Sequence, residues 1–395
     1  MRESNFHVDI DCQQLNHFGE MICGDVFLSR RIKEENRTIA ILSDGMGSGV
    51  KANVLATLTA SMSMNFSAEH KDVKTIAEII MNTLPICSVR KISYSTFTII
   101  DVEYDGTTRI IEYDNPQCVV MRGKEFWDPG WETIVLDSEQ NKGKELRTCA
   151  FNARKEDRIL FWSDGIMQSG MGSKEFPFGW GNKNVLEFVE GILSATPYIS
   201  ARNLGLKLVS RAKYNDNDSP KDDTSAGVIY FREPRKLLIC TGPPFEMAKD
   251  GELAMRVYHF RGKKIICGGT TAEIIARELN LKFAAGMKIS DPQLPPVSYM
   301  EGMNLVTEGI LTIGKVARIL EEYNSNYSLG DGPADQIVHY LLQSDKISLI
   351  SGTRINIAHQ DPNLPVELEI RRTVVKKIVR LLEEKFLKDV SLTFI

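Results

Sequence analysis

The run Arg37-Thr-Ile-Ala-Ile-Leu-Ser43 passes directly into Asp44-Gly-Met-Gly-Ser-Gly49 and then into a segment with apolar Val50, Val54, Leu58 and Met62 at helical spacing. A β-branched apolar run, a glycine-rich turn and a helical period in that order specify a strand, a tight turn and a helix. Such a unit enters a layered architecture in which helices cover a sheet. A second helix is predicted over Asp72 to Leu84, where Val73, Ile76, Ala77, Ile80 and Leu84 form one apolar stripe and Pro85 supplies the stop.

From Ser95 the texture becomes β-like. Ser95 to Val102, Thr108 to Tyr113 and Gln117 to Met121, separated by Asp105-Gly106 and Asn115-Pro116, read as an antiparallel meander. Arg158 to Ser163 is a further strand leading into Asp164-Gly165, helices are expected near Asn184 to Leu193 and Ser200 to Tyr214, and Asp222-Asp223 precedes the apolar strand Ala226 to Phe231. At Arg232-Glu-Pro-Arg235 the rhythm changes. Beyond it Lys236 to Cys240, Lys263 to Cys267, Asn304 to Thr307, Lys346 to Ser351 and Ser391 to Ile395 read as strands. Helices are expected near Glu246 to Tyr258, Thr271 to Leu279, Ile313 to Tyr323, Ala334 to Leu342 and Glu367 to Phe386. The alternation implies a mostly parallel sheet covered on both faces. A chain of 395 residues exceeds what one core usually supports, so two domains are expected, residues 1–233 and 234–395, with an α/β fold class overall.

The net charge of −4 comes from interspersed signs, without the one-sided basic stripe that nucleic-acid binding requires. Seven cysteines (Cys12, Cys23, Cys87, Cys118, Cys149, Cys240 and Cys267) are scattered without a Cys-x-x-Cys pair, and read as small buried groups in a reducing compartment. The start, Met1-Arg-Glu-Ser-Asn-Phe-His7, lacks a signal-peptide core, and no run of about 18 apolar residues occurs. A cytoplasmic protein with neither a nucleic-acid nor a membrane partner is expected.

Asp25 in Cys23-Gly-Asp25, Asp44 and Asp164 after strands and Asp222 before one share a context, each at a strand edge beside turn formers. Carboxylates from neighbouring strand ends can converge, and oxygens without histidine or thiolate suit Mg²⁺ or Mn²⁺ rather than zinc. The expectation is a two-metal, oxygen-only centre able to activate water for displacement at phosphorus, with Gly45 free to offer its carbonyl because it has no Cβ. Taken singly, each Asp-Gly is an ordinary turn; the order of the set is what points to a site. A dinucleotide fingerprint is excluded because Val50 stands where a third glycine is needed and Asp44 would repel the pyrophosphate.

These motifs, Gly24-Asp25, Asp44 to Gly49 with Lys51-Ala52, Ser163-Asp-Gly165 and Asp222-Asp-Thr-Ser225, resemble the PPM (type 2C) metal-dependent phosphatases, and within them the SpoIIE-like bacterial serine phosphatases, over roughly residues 5 to 232. The resemblance implies an N-terminal α+β phosphatase domain, a β-sandwich flanked by helices. It also implies two Mn²⁺ or Mg²⁺ ions bridged by Asp44, with Gly45 contributing its carbonyl, Asp164 and Asp222 completing one ion and Asp25 serving the other. Asp223 falls where the wider family varies and is assigned to loop support. The implied reaction is hydrolysis of phosphoserine or phosphothreonine on a protein by metal-activated water, without a phosphoenzyme. The implied partner is a phosphorylated protein of the anti-anti-sigma type in bacterial signalling; a homodimer is a separate expectation that the resemblance does not carry. Residues before Asp25 offer no arginine of the kind with which many relatives grip phosphate.

In the second half, Gly268, Gly269, Thr270 and Thr271 follow a strand and make a candidate cradle for a small anionic ligand. Thr270 or Thr271 can equally act as a plain helix cap. Asn356-Ile-Ala-His-Gln-Asp361 is a second polar cluster. Residues 234–395 are thus expected to be regulatory or ligand-binding. The alternatives are a non-catalytic module that keeps the phosphatase fold, or a C-terminal domain acting independently on a phosphorylated small molecule.

Overall fold

The computed structural model describes residues 6–32, 34–71, 73–83, 95–139, 141–284, 286, 290–324, 327–354, 364–386 and 388–395. They divide into two compact units, Met1–Glu233 and Pro234–Ile395. Cys87 and the Asn356 to Asp361 cluster lie outside the described residues, as do the ends of the expected helix at Asp72 and Leu84.

The first unit holds two antiparallel sheets. One has the order β1 (His7–Leu15), β11 (Thr224–Arg232), β10 (Asp157–Trp162), β6 (Val119–Arg122), β7 (Glu125–Trp127). The other has the order β2 (Val26–Ile32), β3 (Arg37–Ser43), β4 (Phe97–Val102), β5 (Thr107–Tyr113), β9 (Glu145–Asn152), β8 (Glu132–Val135). Successive side chains of a strand point to opposite faces, and here both faces are covered. Ala40 and Leu42 of β3 pack inward with Ile159, Phe161 and Ile229 of the facing sheet. Ile39 and Ile41 point outward against α1 (Gly49–Ala68) and α2 (Val73–Thr83), joining Ala60, Met64, Ile76 and Ile80. On the opposite side Leu160, Trp162 and Val228 pack with Val185 and Val189 of α4 (Gly181–Ala195) and Leu204 and Leu208 of α5 (Ala201–Asn215). The short α3 (Asp164–Gln168) follows β10. The result is a helix, sheet, sheet, helix sandwich.

Two expectations need correction. The meander breaks after β5, which pairs with β9, while β6 crosses to the other sheet and pairs with β10. The chain turns at Asp114, held at φ 57°, and the Cys118 N–H donates to Glu112 Oε1 at 2.6 Å, fixing the crossover. Helix α1 buries not its Val50, Val54 and Leu58 stripe, which is 62 %, 60 % and 44 % exposed, but the face carrying Ala52, Ala56, Thr59, Ala60 and Ser63. Small side chains let the helix backbone come close to β3, and that proximity decides which face goes inward.

The second unit is an open, fully parallel sheet of order β16 (Leu305–Thr307), β13 (Lys263–Cys267), β12 (Lys236–Thr241), β17 (Lys346–Ser351), β18 (Asp389–Phe394). A small antiparallel pair, β14 (Phe283–Ala284) with β15 (Tyr299–Met300), lies beside β16, where Ser298 bridges Val306 and Met300 joins the core. One face packs on α8 (Ile310–Glu322), α9 (Pro333–Gln343) and α10 (Leu364–Glu384) through Leu237, Ile239 and Leu349 with Leu320, Ile337 and Ile378. The other packs on α6 (Asp250–His259) and α7 (Gly269–Leu279) through Leu238, Cys240 and Ile266 with Leu253, Val257 and Ile275. The expected parallel sheet with two covered faces is therefore present. Among the described residues no helix is long and apolar enough to cross a membrane.

Candidate metal centre

Each candidate carboxylate is delivered by a strand end. Asp44 follows β3, and its main-chain oxygen accepts from Ser95 Oγ at 2.9 Å and from Thr96 N–H at 3.0 Å, so the turn is pinned to the chain entering β4. Gly45 continues that ladder by bridging Ser95. Asp164 opens α3, and Gln168 Nε2 donates to its Oδ2 at 2.7 Å. Asp222 precedes β11, and its Oδ1 accepts the Asp223 N–H at 2.9 Å. Asp25 precedes β2; its Oδ2 accepts from Ser225 Oγ at 2.6 Å, whereas its Oδ1 is buried without a partner among the described residues.

Asp44, Gly45, Asp164 and Asp222 line one cavity of about 740 Å³, together with Ser95, Thr96, Glu112, Asn115 and Arg147 among others. Asp25 does not line that cavity, but it is 2 % exposed and lies close enough to add to the charge felt by Asp44. Burial first, then the charges of Asp25, Asp164 and Asp222, raises the Asp44 carboxyl well above the usual range. Asp25 is raised to about 7 by burial, partly opposed by the Ser225 hydrogen bond and the nearby Ser163 hydroxyl, and raised further by Asp223 and Asp164. Burial and the Asp164 charge push Asp222 to about 6. A buried set of like charges is relieved by taking up protons or by positive charge brought among them.

The donor set fits a hard divalent cation on three observations. All the donors are oxygens. Asp25 Oδ1 and Asp223 Oδ2 are buried and unpartnered among the described residues. A Cβ built on Gly45 would overlap the Ala52 carbonyl oxygen, standing 2.6 Å from its carbon and 2.9 Å from Cα, so the loop lies hard against α1. Even so, among the described residues no set of three or more His, Cys, Asp or Glu side chains is gathered tightly enough to hold a metal ion as it stands. The carboxylates share a neighbourhood without forming a finished coordination sphere.

Two residues beside the site do more than the sequence alone suggests. Asp223, assigned to loop support, is 3 % exposed, takes the His17 N–H on Oδ1 at 2.9 Å, and leaves its Oδ2 within 2.6 Å of where a Gly24 Cβ would stand. Gln14 Nε2 donates to Ser225 Oγ at 2.9 Å and to the Asp25 carbonyl at 3.2 Å. Only the late segment Thr224-Ser225, paired in β11 with β1, brings these together.

In the second unit the expected cradle needs correction in its details. Helix α7 starts at Gly269, two residues before the expected Thr271, and its N-cap is Gly268, which offers no side-chain cap. Neither threonine is therefore the cap: Thr270 and Thr271 both stand inside the first turn. Thr270 is half-buried, while Thr271 is buried with its hydroxyl unpartnered among the described residues. The Gly268 N–H is already taken by the Thr307 carbonyl at 2.8 Å. The Glu308 carboxylate stands 3.6 Å from where a Gly269 Cβ would be, so negative charge occupies the mouth beside Gly269 and Thr270, where an anion was expected.

Residues 34–232 match the family model described as Stage II sporulation protein E (SpoIIE). The chain belongs to the SpoIIE family. Its first unit thus carries the SpoIIE-type phosphatase domain. Phosphoserine phosphatase RsbX of Bacillus subtilis (strain 168) is 34 % identical over 76 residues, 19 % of this chain, and the match spans only 36 % of that relative's length. Among solved structures, the phosphatase domain of the cell fate determinant SpoIIE from Bacillus subtilis is 14 % identical, with a TM-score of 0.45, over 59 % of this chain and 95 % of that one. RsbX in complex with magnesium is 17 % identical, with a TM-score of 0.40, over 58 % and 98 %. The catalytic domain of PstP in complex with two manganese ions is 12 % identical, with a TM-score of 0.37, over 57 % and 98 %.

Proposed function

We propose that the SpoIIE domain hydrolyses phosphoserine or phosphothreonine on a protein substrate, using two Mn²⁺ or Mg²⁺ ions held by Asp25, Asp44, Asp164, Asp222 and the Gly45 carbonyl. The observation that carries this reading is the meeting of Asp44, Asp164 and Asp222 at one cavity of about 740 Å³, backed by the buried Asp25. Bound there, the ions supply Lewis-acid polarisation of the phosphoryl oxygens and activation of water. The chain's own part is positional. Ser95 and Thr96 hold the Asp44 main chain, Gln168 orients Asp164, and Ser225 holds one oxygen of Asp25 while leaving the other available. The open cavity mouth admits a phosphorylated side chain on a protein, for which an anti-anti-sigma-type protein is the candidate.

Residues 234–395 are proposed to be a regulatory or ligand-binding unit. The test of the main reading is phosphate release from phosphoserine and phosphothreonine peptides by the full chain. Release is expected with added Mn²⁺ or Mg²⁺ and not after chelation. Full activity surviving exhaustive chelation, or none at saturating metal, would refute it.

A further inference from the structure

We propose that Arg147 is the residue that grips the substrate's phosphate, an inference that rests on the phosphatase reading above. The cavity wall carries Asp44, Glu112, Asp114, Glu145, Asp164 and Asp222, and among its described residues Arg147 is the sole cationic side chain. A phosphomonoester brings about −1.5 to −2 charges at neutral pH, so among these carboxylates it needs positive charge, from the ions of the reading above and, on the protein, from a cationic side chain.

Arg147 lies on β9 directly opposite Glu112 of β5. Its Nη2 donates to the Asn115 carbonyl and stands 3.4 Å from Glu112 Oε2. The contacts at 3.5 Å or less both involve Nη2, and the side chain is 36 % exposed. A guanidinium offers five donors in a planar fork that matches phosphate oxygens two at a time. Here Nη2 is anchored, and the partly exposed side chain lines the cavity.

A purely structural arginine in the same domain looks different. Arg37 sits 4 % exposed and clasps Asp101 with both Nε at 2.7 Å and Nη2 at 2.6 Å. Arg147 does not close on Glu112 in that way. Its anchor also reaches the metal loop, because Asn115 Oδ1 accepts from Thr96 Oγ1, and the Thr96 N–H donates to the Asp44 carbonyl at 3.0 Å. The phosphate grip that is absent before Asp25 is thereby supplied from the other end of the sheet.

The test compares the full chain with Arg147→Lys and with the double variant Arg147→Met, Glu112→Gln, which avoids stranding a buried charge. Phosphoserine-peptide kinetics with Mn²⁺, inhibition by inorganic phosphate and thermal melting are measured on each. Loss of a charge-assisted fork contact is expected to raise KM, and the inhibition constant of phosphate in parallel, by about 10- to 100-fold in the double variant, and less in Arg147→Lys. Unchanged KM and phosphate inhibition in both variants, with the wild type active, would overturn the grip and leave the phosphatase reading standing. If the wild type releases no phosphate, that reading fails by itself, and direct phosphate binding decides the subsite. Binding that is weaker in the double variant supports it, and equal binding overturns it.

Discussion

Replacing Gly45 by alanine tests how the metal loop is held. The new methyl would stand 2.6 Å from the Ala52 carbon and 2.9 Å from its Cα, whereas carbons in contact need about 3.5 Å. The atoms in the way are backbone of α1, so no rotamer change relieves the clash; helix or loop must move by about 1 Å. Overpacking a close-packed region costs about 1–3 kcal/mol, and a rigid helix backbone argues for the upper end. For a unit of 233 residues that corresponds to a fall in Tm of roughly 6–12 °C. Because Asp44 is the adjacent residue, displacement of about 1 Å should also lower kcat/KM by about 10²-fold. The assay is a metal-free thermal melt beside phosphate release at saturating Mn²⁺. Since the methyl meets main-chain atoms, adding Ala52→Gly should not rescue either quantity. A wild-type Tm and turnover would refute the packing of α1 on the loop. A lowered Tm with normal turnover would refute the loop's role in the chemistry.

Three further outcomes are expected. Asp44→Asn should abolish phosphate release while leaving the metal-free Tm unchanged or higher, because the carboxyl it replaces is raised by burial and by Asp25, Asp164 and Asp222; appreciable turnover at saturating Mn²⁺ would exclude Asp44 as a ligand. Burial pushes Glu112 from 4.5 to about 7, with the Cys118 hydrogen bonds and Arg147 opposing. The folded chain therefore holds that proton more tightly than the unfolded one, and the stability it contributes, up to about 3 kcal/mol, is complete below pH 4.5 and lost as pH rises to 7. Glu112→Gln should flatten the fall in metal-free Tm between pH 5 and 8, and parallel profiles would contradict the assignment. In the second unit, Glu308→Gln should strengthen binding of inorganic phosphate near Gly268 to Thr271, read by titration calorimetry, because it removes the carboxylate facing Gly269; no binding in either form would exclude an anion site there.

What the sequence shows and hides follows from where the determining interactions lie. The second unit was readable because its central strands β12 and β13 are covered on both faces by helices and read as short apolar runs, while β17 and β18 show β-branched alternation between turn formers. The loops bearing Asp44, Asp164 and Asp222 were readable because strand ends and Asp-Gly or Asp-Asp turns announce themselves locally. Strand β1, His7 to Leu15, was missed because charged and amide side chains interrupt its pattern, and it becomes a strand only by pairing with β11. The face of α1 could not be chosen from spacing, since Val50, Val54 and Leu58 make as good an apolar stripe as the alanines beside them. What decides is the space at Gly45 and β3, which admits only small side chains. The walls of the site were hidden most completely. Glu112 and Arg147 meet through the β5 and β9 register, and Asp25 meets Ser225 across 200 residues of chain; neither pair has a local pattern. A carboxylate at a turn marks where chemistry can happen, but the cation that selects the substrate comes from strand pairing. Arg147 therefore reads in the sequence as one more charge on a solvated strand.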